Sequence, residues 1–83
     1  MIAMAGSVES CDCLVMLFKS EKTEIDLKSD VIIQYGDQIK SVIVQTLEKY
    51  NISNIKVSIE DKGALDYTIK ARLESALKRG GLI

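Results

Sequence analysis

Ile55-Lys56-Val57-Ser58-Ile59-Glu60 alternates apolar and polar residues without a break. Period-two alternation places Ile55, Val57 and Ile59 on one face of an extended strand and Lys56, Ser58 and Glu60 on the other. This is the clearest strand in the chain, and its neighbours decide the fold. On its C-terminal side, Asp61-Lys62-Gly63 forms an exit turn with an acidic cap. Leu65, Ile69, Leu73, Ala76 and Leu77 then mark one face of a helix that Gly80-Gly81 stops. On its N-terminal side, Asn51 to Asn54 tolerates the left-handed conformations that end a helix. Before it, Ile32, Tyr35, Ile39, Val42, Ile43, Thr46, Leu47 and Tyr50 recur at steps of three and four, the spacing of an amphipathic helix. Ser29 or Asp30 supplies a cap. Gly36 costs about 1 kcal/mol inside a helix, so regular helix is expected from Asp37 onward.

Further upstream, Glu24-Ile25-Asp26-Leu27-Lys28 alternates as a half-exposed strand, and Cys13 to Phe18 is continuously apolar. An unbroken apolar run predicts a strand covered on both sides for part of its length. Lys19-Ser20-Glu21-Lys22 turns between the two, which predicts an antiparallel hairpin. The fold class is therefore α/β (α+β): a small two-layer sandwich in the order β-β-α-β-α. The helix between strands two and three acts as a crossover, giving a mixed sheet with two helices packed on it.

Eighty-three residues make one domain, spanning residues 1–83, that buries about 60 to 65% of its unfolded surface. Residues 1–12 read as a flexible segment and strand entry. Hydrophobic residues are 47% and charged residues 28%, ordinary for a folded chain and too apolar for disorder. Eleven basic against 12 acidic residues leave a net charge of -1, which draws the chain to neither nucleic acid nor an anionic membrane. No run approaches the roughly 20 apolar residues of a membrane span, and the N-terminus lacks the pattern of a signal peptide. A cytoplasmic location is expected. No Pro-rich or Ser-rich linker and no internal repeat interrupts the chain.

Ala5-Gly6-Ser7-Val8-Glu9-Ser10-Cys11-Asp12 is a run of small residues leading to Ser10, flanked by Glu9 and Asp12. The chain has no histidine, so Ser10 has no base to make it a triad-type nucleophile. A special Ser10 is one that another protein modifies. On the residues alone, Ser7 and Ser10 read as ordinary turn and edge positions. Cys11 and Cys13 stand at the wrong separation for an easy disulfide and are expected as free thiols. With no histidine or third cysteine they complete no zinc site. No catalytic constellation is visible, and the chain is not expected to be an enzyme.

Gly6-Ser7-Val8-Glu9-Ser10-Cys11-Asp12 resembles the prosthetic-group attachment motif of the acyl carrier protein of citrate lyase, its gamma subunit. Asp61-Lys62-Gly63-Ala64-Leu65-Asp66, continuing through Ala71-Arg72-Leu73-Glu74, looks like the same family's C-terminal signature. Gln34-Tyr35-Gly36-Asp37 and Tyr50-Asn51 also fall where that family places them. The resemblance implies that Ser10 covalently anchors a 2'-(5''-phosphoribosyl)-3'-dephospho-CoA group. The terminal thiol of that phosphoribosyl dephospho-coenzyme A would carry acetyl and citryl thioesters between the alpha (transferase) and beta (lyase) subunits as citrate is cleaved to acetate and oxaloacetate. It further implies a prosthetic-group transferase and an acetate-loading ligase as partners.

Gly6, Glu9 and Asp12 would flank the anchor, with small residues keeping it flexible. The two carboxylates would repel a phosphodiester, so they are read by the attaching enzyme or a partner's basic groups, or are simply solvated. Asp61, Lys62, Asp66 and Arg72 are candidates for docking on partner subunits; the alternative is a cap by Asp61 and an i,i+4 pair of Asp66 with Lys70. Cys11 stands where glycine, serine or asparagine is more usual in the family, and Val8 replaces a leucine or methionine. The Asp-Ser-Leu motif of the all-helical fatty-acid carriers is missing. Two rivals remain: the carrier subunit of malonate decarboxylase, which is less similar in the Asp61 to Asp66 stretch, and an unmodified small α/β interaction module.

Overall fold

The computed structural model describes residues 1–29 and 32–83, with the backbone alone for 32–35. Its elements are β1 (Ala3–Gly6), β2 (Cys13–Lys19), β3 (Glu24–Ser29), α1 (Ile32–Lys49), β4 (Ile55–Asp61) and α2 (Asp66–Arg79). The expected α+β sandwich is present, with one further strand, β1, at its N-terminal edge. Residues 3–6, read from the sequence as part of a flexible segment, are sheet. The sheet order is β1-β2-β4-β3. β2 pairs antiparallel with both β1 and β4, and β3 pairs parallel with β4.

β2 and β3 do not form the hairpin that their proximity in sequence predicts. β4 lies between them, and the connecting turn crosses the beginning of β4, where Ser20 N donates to Asn54 O (3.4 Å) and Asn54 N donates to Thr23 Oγ1 (3.2 Å). Burial explains the choice. Ile55, Val57, Ile59 and Asp61 of β4 are all at most 2% exposed, a row that gains most from a central slot. β3 contributes only the half-buried Ile25 and Leu27, and its outward Glu24, Asp26 and Lys28 suit an edge, where charge discourages further strand pairing.

Cross-strand register aligns Ala5, Val15, Ile59 and Leu27 in one row and Leu17, Val57 and Ile25 in the next, all on the inner face. Ile39, Ile43 and Leu47 of α1 and Ile69, Leu73, Ala76 and Leu77 of α2 complete the core. Both helices pack on this face; α2 lies over β1 and β2, and α1 lies toward β3. The expectation that β2 is covered on both sides is not met. Leu14, Met16 and Phe18 stay half-buried on the open face, beside Met4 and under the Lys56 ammonium, which stands 5.9 Å from the Phe18 ring. Two helices in contact on one face leave nothing to cover the other.

α1 starts at Ile32 and runs through Gly36, earlier than expected; Gly36 itself is buried, and packing of the helix face outweighs its propensity cost. Ser29, one of the two cap candidates, is the last residue of β3, and its hydroxyl donates to Asp61 (2.9 Å). The alternative cap, Asp30, and the side chains of Ile32 and Tyr35 lie outside the described residues. Both helices end in Schellman turns. At α1, Asn51 takes φ 55, Ile52 N donates to Leu47 O and Asn51 N to Glu48 O. At α2, Gly81 takes φ 72, Leu82 N donates to Leu77 O and Gly81 N to Lys78 O. The Tyr50 hydroxyl donates to Glu74, tying the helices together.

Asp61 is a buried carboxylate that organises the β4–α2 turn. It accepts from Gly63 N (3.2 Å), Ala64 N (3.0 Å) and the Ser29 hydroxyl. It caps the turn and not the helix, whose N-cap is Leu65 with no side-chain bond. Asp61→Ala removes the acceptor of these three hydrogen bonds and is expected to cost about 2–3 kcal/mol in urea denaturation, with Asp61→Asn showing part of the loss. A change below about 0.5 kcal/mol would refute this role. No helix among the described residues is long and apolar enough to cross a membrane.

Candidate functional site

Ser10 sits at the apex of the loop Ser7–Asp12 that joins β1 to β2 and is exposed. Asp12 N donates to Glu9 O (3.1 Å), closing a four-residue turn with Ser10 and Cys11 at its centre. The strand pairing continues past the sheet: Cys11 N donates to Lys62 O (2.8 Å) and Lys62 N to Asp12 O (2.9 Å). The β1–β2 loop is thereby stitched to the β4–α2 turn at one end of the molecule. The Ser10 hydroxyl has one near contact, Cys11 Sγ at 3.7 Å.

Asp12 faces the base of the loop. Its Oδ1 accepts from Cys13 N (2.7 Å) and Arg72 Nε (3.0 Å), and its Oδ2 from the Ser7 hydroxyl (2.8 Å) and Arg72 Nη2 (2.9 Å). Bidentate pairing of a guanidinium with a carboxylate is the strong form of this contact. The Arg72 fork, then Ser7, then the Cys13 amide hold the Asp12 carboxyl down at about 2, from an ordinary 3.8. A depressed carboxyl contributes stability that is complete above the unfolded value and lost as pH falls through the folded one. Stability should therefore fall between about pH 4 and pH 2, and the Asp12→Asn variant should show a shallower slope there when urea midpoints are compared across that range. Equal slopes would exclude Asp12 as a source.

Gly6 makes the loop possible. It has φ 98, and a Cβ there would lie 1.9 Å from the Cys13 carbonyl oxygen. Ser7 N donates to that oxygen (3.1 Å), so the two chains approach too closely for any side chain. Both cysteines are free, Cys11 exposed and Cys13 buried. Burial, helped by the Asp12 and Asp61 carboxylates, pushes the Cys13 thiol up to about 12, so it stays protonated and unreactive at neutral pH.

An exposed serine on a pinned turn is a geometry that many loops share; similarity to known chains decides what this one is. A citrate lyase acyl carrier protein of Treponema denticola is 52% identical over 77 residues, covering 93% of this chain and 88% of that protein. Another, of Lactiplantibacillus plantarum, is 53% identical over 78 residues, covering 93% and 81%. The chain belongs to the citrate lyase acyl carrier protein family. A family profile described as malonate decarboxylase delta subunit, an acyl carrier protein, also matches residues 2–80. The malonate decarboxylase carrier and this family thus meet in the same domain. No solved structure matches the chain.

With membership of that carrier family established, the remaining motif residues can be placed. Glu9 is exposed at the turn, whereas Asp12 is engaged as described. Of the four residues considered for docking, Asp61 is buried and Arg72 is held on Asp12, its outer edge partly exposed. Lys62 is half-exposed with its ammonium 4.0 Å from Glu60. Asp66 opens α2 and accepts from Gln38 Nε2 (2.7 Å). The two stretches read from the sequence as motifs, Gly6 to Asp12 and Asp61 to Glu74, meet in space through Arg72 and Lys62. Ser7, read as an ordinary turn residue, also belongs to this cluster; nothing local in sequence marks its bond to Asp12.

Cys11 has φ 64, a left-handed conformation that costs an ordinary residue about 1–2 kcal/mol. Glycine, with no Cβ, adopts it readily. Cys11→Gly is expected to gain about 0.5–1 kcal/mol after the extra freedom of the unfolded chain is deducted, and Cys11→Ala to gain nothing. Urea denaturation under reducing conditions separates the two; a destabilised glycine variant would contradict the conformational reading.

Proposed function

We propose that this chain is the acyl carrier subunit of a citrate lyase, with Ser10 as the attachment point of a covalently bound phosphoribosyl dephospho-coenzyme A. The observation that carries the reading is the likeness to citrate lyase acyl carrier proteins over 93% of the chain, and Ser10, exposed on a turn whose Cys11 is pinned to Lys62, suits it. Such a hydroxyl is reachable by a separate transferase and held at a defined place relative to the sheet. The residues fit an anchor: the Ser10 oxygen has only a weak sulfur contact, and it supplies one phosphodiester oxygen. When bound, the group supplies a terminal thiol for thioester chemistry, and the protein supplies attachment and delivery.

Tethering keeps a loaded group at high effective concentration between two active sites that its arm can span. The Asp12–Arg72 pair holds the loop base while Ser10 projects from it. Glu9, exposed beside the anchor, is a point of recognition for the transferase or for basic groups of the alpha and beta subunits. An acetate-loading ligase would charge the thiol in the cytoplasm. The chain's own contribution is carriage.

Intact mass of the protein from its native host, followed by peptide mapping of residues 1–19, tests the reading. The expected result is an added mass matching phosphoribosyl dephospho-coenzyme A on Ser10. An unmodified Ser10 in material that copurifies with active lyase subunits would overturn it. The family profile's description supports a second reading, the carrier of a malonate decarboxylase. Copurifying subunits that consume malonate and leave citrate untouched would select that reading.

A further inference from the structure

A cleft of about 770 Å³ opens between α1 and the β4–α2 turn, the turn to which the Ser10 loop is bonded. Its walls are mainly apolar, from Ile39, Ala64, Leu65 and Tyr67, with Gln38, Asp61 and Asp66 as the polar side chains; the Asp61 carboxylate is engaged by Ser29, Gly63 and Ala64. Leu65 and Tyr67 are 61% and 69% exposed, large apolar side chains left in water next to each other. Adjacent exposed apolar groups around a concavity are a feature of ligand sites. The cleft wall is also joined to the anchor. Cys11 N is bonded to Lys62 O (2.8 Å), and Lys62 directly precedes Gly63 of the cleft. Standard bond lengths along that path put Ser10 Cα no more than about 10 Å from Gly63 Cα.

Resting on the attachment of a nucleotide-containing group at Ser10, we propose that this cleft seats the adenine base of that group. Covalent connectivity separates the base from Ser10 by one phosphate and two sugars, a reach that matches the short distance to the cleft. The thiol lies much further along, beyond a pyrophosphate and the pantetheine chain. The chemistry also selects the base over the acyl end. A flat, uncharged heterocycle suits apolar walls and the Tyr67 ring, and its exocyclic amine suits the Asp66 carboxylate. A citryl group carries several negative charges and would meet Asp66 with repulsion. Seating the base would shorten the free tether to its pantetheine portion and give the arm a fixed point of departure.

The test compares amide and methyl NMR spectra of protein with and without the group, each preparation checked by intact mass. Seating predicts shifts at Gln38, Ala64, Leu65 and Tyr67 upon modification, and cross-peaks between base ring protons and Leu65 methyls. Tyr67→Ala and Leu65→Ser, both at exposed positions, should abolish those effects while the added mass on Ser10 remains. Shifts confined to residues 7–13 in mass-verified modified protein would overturn the inference and leave the carrier reading intact. Native material without the added mass would remove the carrier reading, and the inference with it.

Discussion

Gly6→Ala is expected to lose about 3 kcal/mol or more of folding stability, out of a total of roughly 4–12 kcal/mol for a chain of this length. Two costs combine. At φ 98 an alanine pays the left-handed penalty of about 1–2 kcal/mol. Its Cβ would also stand 1.9 Å from the Cys13 carbonyl oxygen, and that atom cannot simply rotate away, because it is backbone and already accepts from Ser7 N. Relief requires β1 to separate from β2 at Gly6↔Leu14, which exposes Ala5 and loosens the Arg72 stem that lies against the same place. Urea denaturation measures the loss, and the amide signals of residues 7–12 should be displaced in whatever fraction stays folded. A variant with the parent's midpoint and slope would show that the close approach is not required.

Replacing Ser10 by alanine is expected to abolish covalent loading completely while leaving stability within about 0.5 kcal/mol of the parent. The side chain is exposed, and its one contact is the Cys11 sulfur at 3.7 Å, so the fold loses little. Ser7→Ala provides the contrast. It leaves the anchor in place but removes the bond to Asp12, so it should retain loading and show a measurable drop in urea midpoint. Mass spectrometry after coexpression with the transferase reads one effect and denaturation the other. Full loading of the Ser10→Ala protein would move the attachment elsewhere and end the proposed mechanism.

Of the six regular elements among the described residues, four could be read from periodicity and β2 from its unbroken apolar run, because alternation in β3 and β4 and three-four spacing in the helices report which side of each element is buried. β1 escaped notice because Ala3-Met4-Ala5-Gly6 is short and small, and only Ala5 reaches the core. The false hairpin has a related cause. A pattern within a strand says that one face is covered, yet it does not say which strand lies alongside; that was settled by the greater burial available to β4 in the central position.

The anchor segment divides in the same way. Gly6 to Asp12 could be matched to a family motif because such a motif is a local stretch of chain, and Ser10 lies exposed on it. The clamp on that stretch is not local: Arg72 reaches Asp12 across 60 positions, and Lys62 meets Cys11 through backbone atoms that carry no residue code. Element type and the identity of the exposed serine are encoded in neighbouring residues. Strand order, the open sheet face and the pairing of the two signatures arise only when the whole chain competes for one buried interior, since burial is shared among elements and no single stretch contains it.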